Sequence, residues 1–200
     1  VFADIDRSLG MDPGDFERKI TPATRAVLVV HFQGATTDMG RILEIARAHD
    51  VRVIEDCAQA FGVTYRGRRV GSLGDVAGFS LQQNKITCTG DGGLLATRDP
   101  VIFERAARFH DLGVIRPSLA AQLEGEPQEP QFCGLQFRMN ELTGAVALAQ
   151  LRKVERAVLG VTRRYHRLLK ARLSDTCEGM AFRATGDDEV RRAVLIMEQN

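Results

Sequence analysis

Lys85 is the sole charged residue between Val76 and Gly90. Its setting is Phe79-Ser80-Leu81-Gln82-Gln83-Asn84-Lys85-Ile86-Thr87-Cys88-Thr89, followed by Gly90-Asp91-Gly92-Gly93. A lysine among neutral neighbours, partly buried, loses some of its preference for the charged form. That is the condition an amine needs to condense with a carbonyl as a Schiff base. The chain makes such a lysine conspicuous: of its 27 basic residues, only Lys19, Lys85, Lys153 and Lys170 are lysines. Arginine serves wherever a generic positive charge suffices, and only lysine offers an amine that can be deprotonated for chemistry. The plainer reading of Lys85 is a surface lysine in a polar loop. The glycine cluster alone signals no more than a tight turn into the next strand.

A second stretch, Glu55-Asp56-Cys57-Ala58-Gln59-Ala60, places a carboxylate at the end of an apolar run. Open α/β sheets bind ligands where the carboxyl ends of their strands diverge. A carboxylate buried there requires a cationic or protonated partner. Asp56 is therefore a candidate functional residue. Its plainer readings are an N-cap to the next segment or a partner for an arginine.

Both stretches need a sheet to position them, and the surrounding pattern supplies one. Asp12-Pro13 is an N-cap followed by proline at the first helical position, and predicts a short helix to about Ile20. The β-branched run Ala26–Val30 predicts a strand buried on both faces. Asp38 caps a helix with Ile42, Ile45, Ala46 and His49 at helical spacing, and Val51–Ile54 is the next strand. Val76–Ser80 and Leu94–Thr97 are further strands, and Asp99-Pro100 opens a helix to about His110. The alternation Val1–Asp6 reads as a strand already under way. Alternating strands and helices predict an α/β layered domain with a mostly parallel sheet.

From Ile115 to Phe132 the pattern gives way to Pro117, Gly125, Pro127 and Pro130 among polar residues, a long loop of the kind that carries function. Asn140 to about Leu173 then reads as one long helix. Its apolar stripe is Val154, Val158, Val161, Tyr165 and Leu168, and its solvated face carries Arg152, Arg156, Arg163, Arg164 and Arg167. The tail from Cys177 is strand-like and starts a smaller domain. The first residue is not Met and the last apolar run stops three residues from the end, so both ends read as cuts through a fold.

Composition narrows the classes. The 200 residues are 44% hydrophobic and 26% charged, which excludes disordered and collagen-like chains. A net charge of +1 argues against a nucleic-acid binder. No apolar run approaches the roughly 20 residues of a membrane helix. Cys57, Cys88, Cys133 and Cys177 are widely spaced with no C-x-x-C, which argues against a disulfide scaffold or zinc site and favours a reducing, cytoplasmic setting. No metal is expected.

Taken in order, Glu55-Asp56-Cys57-Ala58-Gln59-Ala60, Gly71-Ser72-Leu73-Gly74-Asp75, Phe79-Ser80 with Lys85 five residues on, and Gly90-Asp91-Gly92-Gly93 resemble the DegT/DnrJ/EryC1/StrS aminotransferases. Phe137-Arg138-Met139-Asn140-Glu141-Leu142 resembles the segment that opens that family's long helix. The resemblance runs from Val1 to about Leu173. It implies a fold-type I, three-layer αβα sandwich of the aspartate aminotransferase kind and a pyridoxal 5'-phosphate cofactor. Residues 1–135 would be part of the large cofactor-binding domain, 136–175 a long connecting helix, and 176–200 the start of a small α+β domain.

On this resemblance Lys85 carries the cofactor covalently and moves the proton during transamination. Asp56 pairs with the pyridine nitrogen, Gln59 hydrogen-bonds the phenolic oxygen, and Ser80 binds the phosphate. Gln136, where the family commonly has Asn, reaches the phosphate of a partner subunit, so a homodimer with shared sites is implied. Lysine rather than histidine at position 85 argues for the transaminating branch of the family over the dehydrating one. The implied reaction moves an amino group from glutamate or glutamine to a keto-sugar or keto-cyclitol. The Gln82-Gln83-Asn84-Lys85 form leans toward aminocyclitol and antibiotic-sugar enzymes. The alternative is a ligand-sensing regulatory module, or a non-catalytic partner, on the same fold.

Overall fold

The computed structural model describes residues 1–121, 130–154 and 156–157. In chain order the elements are α1 (Pro13–Lys19), β1 (Ala26–Val30), α2 (Met39–Ala48), β2 (Arg52–Asp56), β3 (Thr64–Tyr65), β4 (Arg68–Arg69), β5 (Val76–Ser80), β6 (Gly93–Thr97), α3 (Pro100–His110), α4 (Pro117–Ala120) and α5 (Glu141–Leu151). Each longer helix starts where its cap predicts. The Asp12 carboxylate accepts from the Gly14 and Asp15 amides, Asp38 from Arg41, Asp99 from Val101 and Ile102, and Asn140 from Thr143. These caps satisfy amides that have no partner inside the helix.

The main sheet runs β1-β2-β5-β6. β1, β2 and β5 are parallel, with Val30 opposite Asp56 and Asp56 opposite Gly78, and β6 returns antiparallel to β5. The sheet is thus mostly parallel, in an α/β fold. Its strands bring three carboxyl ends, at Val30, Asp56 and Ser80, to one edge.

The core lies on one face of this sheet. Val27, Val29 and Val53 pack against Phe16 of α1 and Met39, Ile42, Ile45 and Ala46 of α2. Each fully buried aliphatic side chain there contributes about 1.5–3 kcal/mol. β1 departs from the expected burial on both faces: Leu28 is 53% exposed and Val30 is also exposed. α1 and α2 cover only the Val27/Val29 side, and among the described residues nothing covers the Leu28/Val30 side.

Other expectations are corrected. Residues 1–6 form no strand; Ile5 makes a single bridge to Met11, and the turn between them is closed by the Asp6 amide on the Gly10 carbonyl and the Leu9 amide on the Asp6 carbonyl. The stretch from Ile115 is not all loop, since proline at the first helical position starts the single turn of α4. α5 ends at Leu151, and a turn at Arg152 and Lys153 follows. The expected helix beyond residue 157, with Val158, Val161, Tyr165, Leu168 and three of its arginines, lies outside the described residues, as does the segment 176–200. A small hairpin, β3-β4, was not expected; Arg66 (φ 47°) and Gly67 (φ 77°) make its two-residue turn, both in the left-handed region such turns use.

Candidate functional site

Asp56 ends β2, and its register partner Gly78 lies two residues before Ser80 on β5. Paired residues of parallel strands project to the same side, and residues two apart share a face. Asp56 and Ser80 therefore stand on the same face at the same edge. This is the face that the described helices leave open. A Cβ built on Gly78 meets no atom within 4 Å.

Asp56 is half-buried. Its Oδ1 accepts from the Ala58 amide at 2.9 Å. Its Oδ2 accepts no hydrogen bond among the described residues. Ser80 Oγ accepts from the Gln82 amide at 3.3 Å. Gln59 Oε1 accepts from the Gln33 amide at 2.9 Å. The Gln59 Nε2 group keeps both its donors available among the described residues.

Lys85 lies in an excursion of the chain between β5 and β6. The excursion is closed at its base by a bridge between Gln82 and Gly90. The Leu81 amide bonds the Gly92 carbonyl, Thr89 bonds Leu81, and the Lys85 amide closes a turn on the Gln82 carbonyl. Gly90 (φ 89°) and Gly92 (φ 128°) take backbone angles that other residues rarely adopt, which explains the glycine cluster. Lys85 is half-buried, and its amine forms no ion pair or hydrogen bond among the described residues.

Gln136 sits elsewhere, exposed, with Oε1 accepting from Arg138 Nε at 2.9 Å. Its backbone bridges to Asp111 at the end of α3. Asp111 is buried and paired with Arg116 and, at 3.2 Å, with Arg138. This carboxylate ties the segment carrying Gln136 to the start of the proline-rich stretch. No contact joins Gln136 to Lys85 among the described residues.

Sequence reasoning missed the residues that brace this edge. Glu55, fully buried, accepts from His31 Nε2 at 3.1 Å, from Gly71 and Leu73 at 2.8 Å each, and from Gly74 at 2.7 Å. Burial pushes its carboxyl up, while the His31 ring and the amides of Gly74, Gly71 and Leu73 pull it down further; the net position is below the usual Glu range. His31 is equally buried, and its backbone amide bonds the Asp56 carbonyl at 3.0 Å. The signal for these residues was present: two consecutive acids at a strand end must face opposite sides, and His31 follows the neighbouring strand.

Cys57 completes a buried trio with His31 and Glu55, their ligating atoms within 4.8 Å of one another. The chemistry of this trio is that of a brace. Both Glu55 oxygens already hold two donors each, and burial, then the Glu55 and Asp56 charges, push the Cys57 thiol up to about 12. Among the described residues no helix is long and apolar enough to cross a membrane.

The model of the DegT/DnrJ/EryC1/StrS aminotransferase family matches residues 1–198. GDP-perosamine synthase of Caulobacter vibrioides is 40% identical over 162 residues, covering 78% of this chain and 40% of that protein. An L-glutamine:2-deoxy-scyllo-inosose aminotransferase of Streptoalloteichus tenebrarius is 36% identical over 199 residues, covering 98% of this chain and 46% of that protein. The chain spans less than half the length of these two relatives. Among solved structures, the sugar aminotransferase CalS13 from Micromonospora echinospora is 34% identical with a TM-score of 0.69, over 84% of this chain and 47% of that one. An E. coli GDP-4-keto-6-deoxy-D-mannose-3-dehydratase with bound hydrated PLP superposes with a TM-score of 0.73 over 84% of this chain and 46% of that one; at 23% identity it shows the shared fold alone.

Proposed function

Because the chain belongs to the DegT/DnrJ/EryC1/StrS aminotransferase family, we propose that it is the cofactor-binding part of a pyridoxal-phosphate-dependent aminotransferase. The amino group moves from an amino acid, glutamate or glutamine, to a keto-sugar or keto-cyclitol. The observation that carries this reading is Asp56: a half-buried carboxylate with one oxygen held by Ala58 and the other without a partner among the described residues, on the open face beside Gly78 and Ser80.

The donor set fits the cofactor. The bare Asp56 Oδ2 suits a protonated ring nitrogen, the Gln59 NH2 a phenolic oxygen, the Ser80 hydroxyl a phosphate and the Lys85 amine an aldehyde. Open space over Gly78 leaves room for a flat ring. Bound there, pyridoxal phosphate supplies an electron sink for the substrate carbon. Asp56 would hold the ring nitrogen protonated by placing a negative charge beside it. Gln59 would orient the ring by donating from Nε2. Lys85 would hold the cofactor by its Nζ and would carry the proton at that atom. A homodimer in which Gln136 completes the partner's phosphate site is part of the same reading, as is a cytoplasmic setting.

The two named relatives support the substrate class, one by a glutamine donor and a cyclitol ketone, the other by an amino sugar bound to a nucleotide. The test is incubation of the cofactor-loaded protein with amine-labelled glutamine or glutamate and a panel of keto-sugars and keto-cyclitols. Label transferred to a ketone supports the reading. Cofactor uptake with no transfer to any ketone favours a sensor on the same fold.

A further inference from the structure

The turn after β1 bears on how Gln59 is aimed. His31 leads into a turn at Phe32–Gly34, closed by the Ala35 amide on the Phe32 carbonyl at 2.9 Å. Gln33 inside it has φ 49°, an angle uncommon for a side-chain-bearing residue. Its N–H donates to Gln59 Oε1 at 2.9 Å. A backbone N–H can be accepted only by the oxygen of a carboxamide, so the sense of the Gln59 amide is set. Its NH2 end points away from the turn.

The turn is held at its first residue in two ways. The His31 backbone N–H bonds the Asp56 carbonyl at 3.0 Å, and the ring Nε2 bonds the buried Glu55 carboxylate at 3.1 Å. Glu55 is itself immobilised by the Gly71, Leu73 and Gly74 amides. His31 Nδ1 is buried and has no partner among the described residues. A carboxylate oxygen accepts, so Nε2 is the donor in this pair.

We infer that His31 is a positioning residue: clamped by Glu55, it fixes the turn whose Gln33 N–H holds Gln59 with its NH2 end presented to the ligand at the Asp56 edge. The inference rests on the pyridoxal-phosphate reading, since Gln59 is taken to donate to that cofactor. The clamp belongs to this chain's own residues and can be read without turnover.

The experiment measures the dissociation constant of pyridoxal phosphate, by equilibrium dialysis, and the position of its visible absorption band. The proteins are the wild type, His31→Leu, His31→Gln, Gln59→Leu and the double variant His31→Leu/Gln59→Leu. His31→Leu is expected to bind roughly tenfold more weakly with a displaced band, the loss of about one hydrogen bond. His31→Gln, whose amide nitrogen can replace Nε2 as donor to Glu55, is expected to recover most of that loss. The double variant is expected to bind no worse than Gln59→Leu alone, because His31 acts through Gln59. Additive losses, or wild-type binding by His31→Leu, overturn the inference. Should His31→Leu not fold, Gln59→Glu decides. This exposed side chain keeps an acceptor for Gln33 but presents no donor, so it must bind at least as weakly as Gln59→Leu, and wild-type binding overturns the inference. A wild-type protein that takes up no pyridoxal phosphate sinks the cofactor reading itself.

Discussion

Glu55 and Asp56 are consecutive on β2 and face opposite sides of the sheet. Glu55 points into the packed side and accepts from His31 and three backbone amides. Asp56 points to the open side, where only Oδ1 is engaged, by the Ala58 amide. One carboxylate thus ties two loops to β2, the turn after β1 and the β4–β5 connection, and its neighbour keeps an oxygen available for a ligand. Their differing surroundings give each a separable test.

Glu55→Gln is expected to destabilise the protein by about 3 kcal/mol, since a buried charge-assisted network loses its acceptor and a carboxamide NH2 faces backbone donors. Urea unfolding checks it. The pH dependence has a defined sign. The folded Glu55 carboxyl lies below the ordinary value of 4.5, so its stabilisation is present above that value and is lost as pH falls through the depressed one. The gap between wild type and variant should therefore narrow on acidification; a gap unchanged from neutral pH to about pH 3 would remove the ionised carboxylate as its source.

Asp56→Asn should leave the melting temperature close to wild type, because the Asn oxygen can still accept from Ala58. Turnover should fall on the order of 10²–10³-fold, the scale for losing one preorganised charge at a reacting group. Wild-type turnover in the variant would make Asp56 structural.

Borohydride reduction of the cofactor-loaded protein, followed by peptide mapping, should place the label on Lys85. Lys19 is engaged at 2.7 Å by both Asp15 and the Phe2 carbonyl, and is a poor competitor. Label on Lys19, Lys153 or Lys170 in place of Lys85 counts against the assignment.

The Cys57 thiol, buried and pushed up to about 12, should resist iodoacetamide at neutral pH, while the exposed Cys133 reacts. Mass spectrometry of the native and urea-unfolded protein reads both. Rapid native labelling of Cys57 would mean that the brace around Glu55 opens readily.

Much of the frame was legible because its causes are local. Asp12-Pro13 and Asp99-Pro100 start helices through caps made within three residues, and the apolar runs at 26–30, 51–54 and 76–80 fall on strands. The spacing of Asp56, Gln59, Ser80 and Lys85 was likewise readable, and the strand register puts Asp56 and Ser80 on one face. The β3-β4 hairpin was missed because its strands are two residues each, too short for a period to show.

What the sequence alone determined is the alternation of elements and the identity of the groups able to do chemistry, since both depend on neighbours along the chain. Only the tertiary structure decided which side of each strand is packed. The period of two says that Glu55 and Asp56 diverge, yet not which of them is buried. That choice is made by α1 and α2 settling on Val27, Val29 and Val53; Val29 is in register with Glu55, Val53 lies two residues before it, and Val27 is in register with Val53. The same packing brings His31, the residue after β1, onto Glu55 of β2, 24 positions along the chain. A hydrogen bond between residues that distant leaves no trace in local spacing, because it exists only after the sheet has formed.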